Sequence, residues 1–140
     1  MNDLANNIKL MQSIAPAALD ADANGTGVDT QGYENVAVVV DTGVEGITLS
    51  GTNKIEFELE HSDDNSAWSD AVSADVNGTL GASGLMLTLD ANGETPQISE
   101  LEYLGTKRYV RVVANFGGTH GTATPVSAFV ILGKPRHAPA

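Results

Sequence analysis

The three histidines, His61, His120 and His137, are the first candidates for reaction chemistry, because imidazole is the commonest general base at neutral pH. His61 precedes Ser62 and Asp63, which are the residue types of a nucleophilic triad. Successive side chains of a strand, however, point to opposite faces. We therefore interpret His61 as an exposed residue at a strand end. His120 lies in a glycine- and threonine-rich turn and His137 in the C-terminal segment, and neither is expected to be held for catalysis.

Three glutamates, Glu56, Glu58 and Glu60, alternate along one face of a predicted strand and are the nearest approach to an acid–base pair. A general acid needs burial to raise its pKa, whereas regular spacing on a polar face is typical of solvated charges. The sequence also has no cysteine and no Gly-x-Ser-x-Gly turn that would present a serine. It therefore predicts no catalytic residue and no enzyme activity, and it disfavours a small hydrolase.

The segment from Asp20 to Gln31 is the best candidate for a cation site. Asp20, Asp22 and Asn24 place oxygen ligands at the first, third and fifth positions of a calcium loop, and Gly25 stands at its sharp turn. The last position is Gln31 instead of a bidentate glutamate, and neither flank has a helical pattern. We expect a turn-rich loop, with Asp20, Asp22 and Asn24 as a weak alternative metal site, and no cofactor.

Apolar and polar residues alternate with a period of two along most of the chain, which is typical of half-buried strands. In the clearest case Ile55, Phe57 and Leu59 share one face. The eight predicted strands span residues 8–14, 36–40, 53–61, 68–72, 85–89, 98–104, 108–116 and 126–132. Eight strands, with Asn-Gly dipeptides in three of the intervening segments, predict an all-β sandwich, specifically an eight-stranded jelly roll.

Two of these strands, Val36–Val40 and Val126–Leu132, are apolar at nearly every position, which is typical of central strands covered on both faces. We divide the chain into an extended N-terminal arm that ends in the first strand (residues 1–18), the sandwich domain (19–133) and a short flexible tail (134–140). Pro135 and Pro139 cannot donate ladder hydrogen bonds, which favours an unpaired tail.

The chain carries 18 acidic and seven basic residues, which give a formal net charge of −11. Affinity for nucleic acid depends on Lys and Arg neutralising phosphates, so the charge predicts no DNA or RNA partner. No run of about 18 apolar residues is present, and the first residues lack the basic and apolar regions of a signal peptide. The sequence thus predicts no membrane partner and synthesis in a host cytoplasm.

Three parts of the chain share a pattern with proteins of known type. They are Phe57–Trp68, in which Ser-Asp-Asp separates a strand from a tryptophan, Arg108–Val112 followed by Pro125–Arg136, and Asn7–Ala17. In these segments the chain resembles small head proteins of tailed bacteriophages. Within that group the chain most resembles the capsid cement (decoration) proteins, of the kind found on a Bordetella phage.

The resemblance implies a jelly-roll subunit, a homodimer rather than a trimer, that binds the outside of a shell of major capsid protein and stabilises it. The protein would then lie on the outer surface of the virion. Under this hypothesis the arm and the tail make the contacts, and the predicted partner-binding residues are Ile8, Leu10, Met11, Ile14, Lys134 and Arg136. The alternative for both termini is a free end without a partner.

A carbohydrate- or receptor-binding β-sandwich module of a phage tail or head is the alternative function. β-Sandwiches can present aromatic platforms to sugars, and the candidates here are Tyr33, Trp68, Tyr103 and Tyr109. Trp68 follows a loop, where exposure is one alternative, but we expect it to pack over a sheet edge.

Overall fold

The computed structural model describes residues 3–137, which form eleven strands and two short 3₁₀ helices. The strands are β1 (Ile8–Leu19), β2 (Ala23–Asn24), β3 (Val28–Asp29), β4 (Tyr33–Thr42), β5 (Lys54–Ser62), β6 (Ser69–Asp70), β7 (Val76–Asn77), β8 (Leu85–Leu89), β9 (Gln97–Tyr103), β10 (Tyr109–Gly117) and β11 (Thr124–Pro135). The 3₁₀ helices are Ser73–Asp75 and Ala82–Gly84. Among the described residues there is no helix with the length and hydrophobicity needed to cross a bilayer.

The strands form two antiparallel sheets packed against each other, which confirms the predicted β-sandwich. The first sheet has the order β1-β11-β4-β9-β7. In the second sheet β10 and β5 are central neighbours, β2 and β3 both pair with β10, and β6 and β8 both pair with β5. β1 and β7 are therefore the two edges of the first sheet.

The core lies between the sheets. It consists of the inward-facing side chains, which alternate with outward-facing ones along the strands. Ile55, Phe57 and Leu59 of β5 are fully buried, as their alternation predicts. They belong to one cluster with Val38 of β4 and Val130 of β11. The period-two pattern therefore identifies the core face of both sheets correctly.

Each of the eight predicted strands has a counterpart, although the strand predicted at 68–72 is reduced to Ser69–Asp70. The pattern did not predict β2, β3 and β7, which are two residues long and pair with distant segments of the chain. A two-residue strand is too short to show a period, so its pairing depends on the tertiary structure alone.

Residues 8–18 belong to the first sheet and do not form a separate arm. β1 pairs with β11 along its whole length, with irregularities between Gln12 and Ile14 and between Ile14 and Ala17. Pro16 lies in the second irregularity, where its missing N–H interrupts no regular ladder. These bulges break the alternation of β1, and the sequence pattern therefore underestimated the length of this strand.

The tail predicted at residues 134–140 begins later than expected. Lys134 and Pro135 continue β11, and Pro135 pairs with Tyr33 of β4. The Arg136 N–H donates a hydrogen bond to the Gly32 carbonyl oxygen at 2.8 Å. The sandwich therefore extends through Pro135, and residues 138–140 lie outside the described residues.

Ser13 connects β1 to the second sheet. Its Oγ accepts a hydrogen bond from the Val112 N–H at 2.9 Å and donates one to the Thr26 carbonyl oxygen at 3.1 Å. The Thr26 N–H donates to the Ser13 carbonyl oxygen at 2.7 Å. Gly25 lies beside this junction, where an added Cβ would collide with Ser13 Oγ and Val112 O. This junction covers the β1 edge at Ser13, whereas within residues 3–137 no strand other than β11 pairs with Ile8–Gln12.

Candidate functional site

The side of the first sheet that is turned away from the core, called here the outer face, is the candidate functional site. The strand register arranges its side chains in rows that cross the sheet. From β1 towards β9, the rows are Leu10–Ile131–Ala37–Glu102, Gln12–Phe129–Val39–Glu100, Ile8–Gly133–Asn35 and Ser127–Asp41–Ile98. Residues far apart in the chain are therefore neighbours on this surface.

The outer face is apolar and accessible where it is formed by β1 and β11. Leu10 is 60% exposed, and Ile8, Phe129 and Ile131 are half-buried. The apolar runs of β4 and β11 were predicted to be covered on both faces, and this is wrong for the isolated chain. Only the core face is fully covered, and of the residues in the four rows only Val39 is buried.

Charge divides the outer face into two parts. β1 and β11 together contain no acidic residue, and their charged residues are Lys9 and Lys134. β9 by contrast places Glu100 and Glu102 on the outer face. In a chain of net charge −11, the acid-free strands are a surface that another protein can approach without strong repulsion.

Three shallow grooves mark the outer face and its ends. One of about 480 Å³ runs between Ile131 and Glu100. One of about 230 Å³ lies beside the first irregularity of β1, between Leu10 and Phe129. One of about 470 Å³ lies near Pro16, at the opposite end of β11. The grooves give the face enough relief to receive side chains of a partner.

Three of the predicted partner-binding residues lie on or beside the outer face. Ile8 and Leu10 project from it, and Met11 is 37% exposed at the edge of β1. Ile14 is only 6% exposed and packs in the core, so its side chain is not available to a partner. The prediction for Ile14 is therefore wrong, because the irregularity after Gln12 turns Ile14 inward.

The two basic residues of the predicted contact set lie at the end of β11. Lys134 Nζ is 2.7 Å from Glu34 Oε2. This ion pair lowers the pKa of Glu34 and raises that of Lys134, because each charge stabilises the other. Arg136 is exposed just after β11. The sequence pattern did not identify Phe129, Ile131, Glu100 or Glu102 as surface residues. The continuous apolar run of β11 contains Phe129 and Ile131 and is the only sequence signal that could have drawn attention to them.

His61 is buried, at 7% exposed, and the prediction of an exposed strand end is wrong. It follows Ile55, Phe57 and Leu59 on the inward side of β5, and its Nδ1 lies 2.9 Å from Tyr103 Oη. Tyr103 Oη also accepts a hydrogen bond from the Lys107 N–H at 3.3 Å. Burial lowers the pKa of His61 and raises the pKa of Tyr103 to about 12.

Ser62 makes its hydrogen bonds on the other side of the strand. Its Oγ donates to Asp64 Oδ1 at 3.0 Å and accepts from the Asp64 and Asn65 N–H groups. Asp64 also accepts from the N–H groups of Ser66 and Ala67, and these bonds lower its pKa. The Ser-Asp-Asp segment therefore shapes a turn, and His61 and Ser62 bond to different residues.

The stability of the chain is expected to fall as the pH drops below about 6.5, and replacing His61 with glutamine should weaken this dependence. Because the pKa of folded His61 is lowered from 6.5, the unfolded chain takes up a proton in this range that the folded chain does not. The contribution of neutral His61 to the free energy of unfolding is complete above about pH 6.5 and is lost as the pH falls. Urea unfolding from about pH 7.5 to about pH 5.5 measures it; an unchanged pH dependence in His61→Gln would contradict the assignment.

The three glutamates of β5 are half-buried, and two of them are ion-paired, rather than fully solvated as expected. Glu56 lies 2.8 Å from Lys54 Nζ, and Glu60 lies 2.6 Å from Arg111. Burial raises the pKa of Glu58, and the neighbouring carboxylates of Asp70, Glu60 and Glu56 raise it further. These residues form an ion-paired polar surface on the second sheet, opposite to the outer face.

His120 is buried at 8% exposed, and its Nε2 lies 2.9 Å from the Gly117 carbonyl oxygen. Its ring packs edge-on against Phe116, with centroids 4.9 Å apart. His120 Nδ1 is buried without a hydrogen-bond partner among the described residues. The imidazole closes the β10–β11 turn, in agreement with the predicted turn role.

The candidate cation loop is held extended by short pairings of β2 and β3 with β10. Asp22 Oδ1 accepts a hydrogen bond from the Phe116 N–H at 2.6 Å, while Asp20 and Asn24 are exposed. Asp29 forms a two-pronged ion pair with Arg108, which lowers the pKa of Asp29. Within residues 3–137 no group of three or more His, Asp or Glu side chains is arranged to hold a metal.

The four aromatic candidates for sugar binding are all engaged within the chain. The Arg111 guanidinium lies over the Trp68 ring at 4.4 Å, and that of Arg108 lies 5.1 Å from the centre of the Tyr109 ring. Tyr103 is buried against His61, and Tyr33 packs partly buried against the core. Each of the four rings is therefore contacted by another part of the chain.

Comparison with known proteins adds no relative. No family model matches the chain, and neither a curated protein nor a solved structure shows a significant similarity to it. The functional assignment therefore depends on the sequence and on the geometry described above.

Proposed function

We propose that this chain is a non-catalytic assembly protein that binds the outside of a shell of major capsid protein through the outer face and stabilises that shell. The observation that carries the proposal is the accessible, acid-free apolar surface of β1 and β11. Exposed apolar surface of this kind marks protein–protein contacts. The resemblance to capsid cement proteins supports the choice of partner.

The charge of the chain supports a position outside the shell. At a net charge of −11, a subunit on the inside would be repelled by packaged DNA. With the outer face turned to the shell, the glutamates of β5 on the second sheet face solvent. This orientation leaves the ion-paired surface hydrated and places the apolar surface in the contact.

A homodimer is part of the proposal, and it is supported by the β1 edge at Ile8–Gln12, which is unpaired on its outer side among the described residues. An edge strand offers unpaired backbone groups, which can pair with the same strand of a second copy about a two-fold axis. β1 contains no acidic residue, so such a pair would place no two carboxylates opposite each other. Paired copies would also hold neighbouring capsid subunits more strongly through their effective concentration.

We also assign the sandwich to the jelly-roll class. β2 and β3 lie end to end along β10, and β6 and β8 both lie along β5, so each pair can be counted as one interrupted strand. The second sheet then has four strands, and β1, β11, β4 and β9 give four in the first. Two four-stranded sheets support the eight-stranded assignment, with β7 as an addition.

Co-sedimentation with purified shells tests the proposal. The shells are those of the major capsid protein encoded beside the gene of this chain, stripped of the chain itself. We expect saturable binding and an increase in the temperature at which the shells open. A chain that remains in the supernatant at saturating concentration, or the lack of any neighbouring capsid gene, would contradict the proposal. Sedimentation velocity of the free chain, run alongside, tests the dimer.

A further inference from the structure

We propose that the groove of about 480 Å³ at one end of the outer face is a docking site for an extended partner segment that combines aliphatic and basic side chains. In this arrangement aliphatic side chains contact Ile8 and Ile131, and a lysine or arginine lies between Glu100 and Glu102. The inference rests on the proposed function for the identity of the partner, but the chemistry of the groove is independent of it.

The groove has an apolar wall and an acidic wall. Ile8 and Ile131 stand on the side of β1 and β11, and Glu100 and Glu102 stand on β9. Small residues lie between them: Ala37 follows Ile131 in its row, and a Cβ added at Gly133 would meet only Asn35 Cβ, at 3.5 Å. The middle of the groove is therefore open to a side chain entering from outside.

The carboxylates of the acidic wall are available to a ligand. No basic residue lines the groove, and among the described residues neither glutamate forms an ion pair. The closest partner of Glu102 is Asn77 Nδ2, at 3.4 Å from Glu102 Oε2. Other glutamates of the chain, such as Glu34, Glu56 and Glu60, are by contrast paired with bases of the chain itself. Because no basic side chain among the described residues neutralises Glu100 and Glu102, the groove can accept a cationic side chain of a partner.

A second copy of this chain fits the groove poorly. The chain carries 18 acidic residues against seven basic ones, so most surfaces of a second copy would bring carboxylates to carboxylates. The size of the groove suits a few side chains rather than a folded surface. An extended segment lying across the rows could present alternate side chains to the groove, as strands do in peptide recognition.

An amide chemical-shift titration of the full chain tests the inference with a defined probe, a short peptide of alternating valine and lysine. We expect shifts confined to the groove residues of β1, β4, β7, β9 and β11, weakened by added salt. The double variant Glu100→Gln/Glu102→Gln should bind at least about tenfold more weakly. The matched control Glu58→Gln/Asp70→Asn removes the same charge from the second sheet and should bind as the unaltered chain does. A peptide of alternating valine and glutamate should cause no shifts.

Three outcomes would overturn the inference. They are shifts spread equally over the β5 glutamates, an unchanged affinity in Glu100→Gln/Glu102→Gln, and groove shifts that appear on concentrating the chain without peptide, which would assign the groove to a second copy. The result is separable from the shell experiment. Shell binding without peptide binding would refute only the groove assignment, and peptide binding without shell binding would refute only the capsid partner.

Discussion

Replacing Leu10 with aspartate is expected to lower the affinity of the chain for capsid shells by at least about thirtyfold while the fold is retained. Leu10 is 60% exposed and begins the row that continues to Ile131 and Ala37. Removing a central apolar contact of an interface costs about 2 kcal/mol, which corresponds to about thirtyfold in affinity. A carboxylate adds the cost of its own desolvation in the complex, but in the free chain it stays hydrated. Co-sedimentation over a range of concentrations measures the change.

Val72→Asp is the matched control for Leu10→Asp. Val72 is 57% exposed and lies between β6 and β7, at the sandwich edge opposite to β1. The substitution introduces the same charge at a similarly exposed apolar residue, and we expect shell binding to be unchanged. Equal losses of affinity in the two variants would attribute the effect to net charge and contradict the role of the outer face.

Phe57→Ala is expected to lower the free energy of unfolding by about 3–5 kcal/mol, the largest effect on stability predicted for a single core substitution here. Phe57 is 0% exposed and is the largest of the fully buried side chains. It lies on β5 between the two sheets, where its removal leaves a cavity that both sheets line. Because the stability of a domain of this size is about 5–15 kcal/mol, this loss is a large share of the total.

Urea unfolding, followed by the fluorescence of Trp68, measures the change in Phe57→Ala. The control is Leu104→Ala, since Leu104 is 57% exposed and its truncation should alter stability by no more than about 0.5 kcal/mol. A loss below about 1 kcal/mol in Phe57→Ala would show that the two sheets do not depend on this core contact.

The sequence predicted the fold class because strand alternation is a local property. Ile55, Phe57 and Leu59 alternate with charged residues and are all buried. The burial of His61 continues that alternation, so the same pattern places its side chain inside. The interpretation as an exposed residue followed from the polar character of histidine. Extending the period by one step predicts an inward side chain at position 61, but the contact with Tyr103 depends on the packing of the two sheets.

The N-terminal segment was harder to predict because β1 is irregular. Its bulges shift the register around Ile14, so that hydrophobic residues do not follow one period. The predicted tail starts at residue 134 because proline cannot donate a ladder hydrogen bond, but Pro135 occupies the last position of β11, where a strand can end with proline.

The candidate site was only partly predictable for a different reason. Ile8 and Leu10 are predicted contact residues because they lie in the arm that the resemblance implicates, but the rows of the outer face depend on the pairing of β1, β11, β4 and β9. These strands are remote in sequence, and register between remote strands is not encoded in a local pattern. The uncovered side of β11 became visible only when the structure showed which of its faces meets the core.

Hydroxyl-radical footprinting of the chain, free and bound to shells, tests the central claim most directly, because it measures the solvent accessibility of individual side chains. We expect the oxidation rates of Leu10, Phe129 and Ile131 to fall several-fold on the shells, while those of Val72 and Leu104 remain unchanged. Unchanged rates at Leu10, Phe129 and Ile131 in shell-bound protein would contradict the assignment of the outer face as the binding surface.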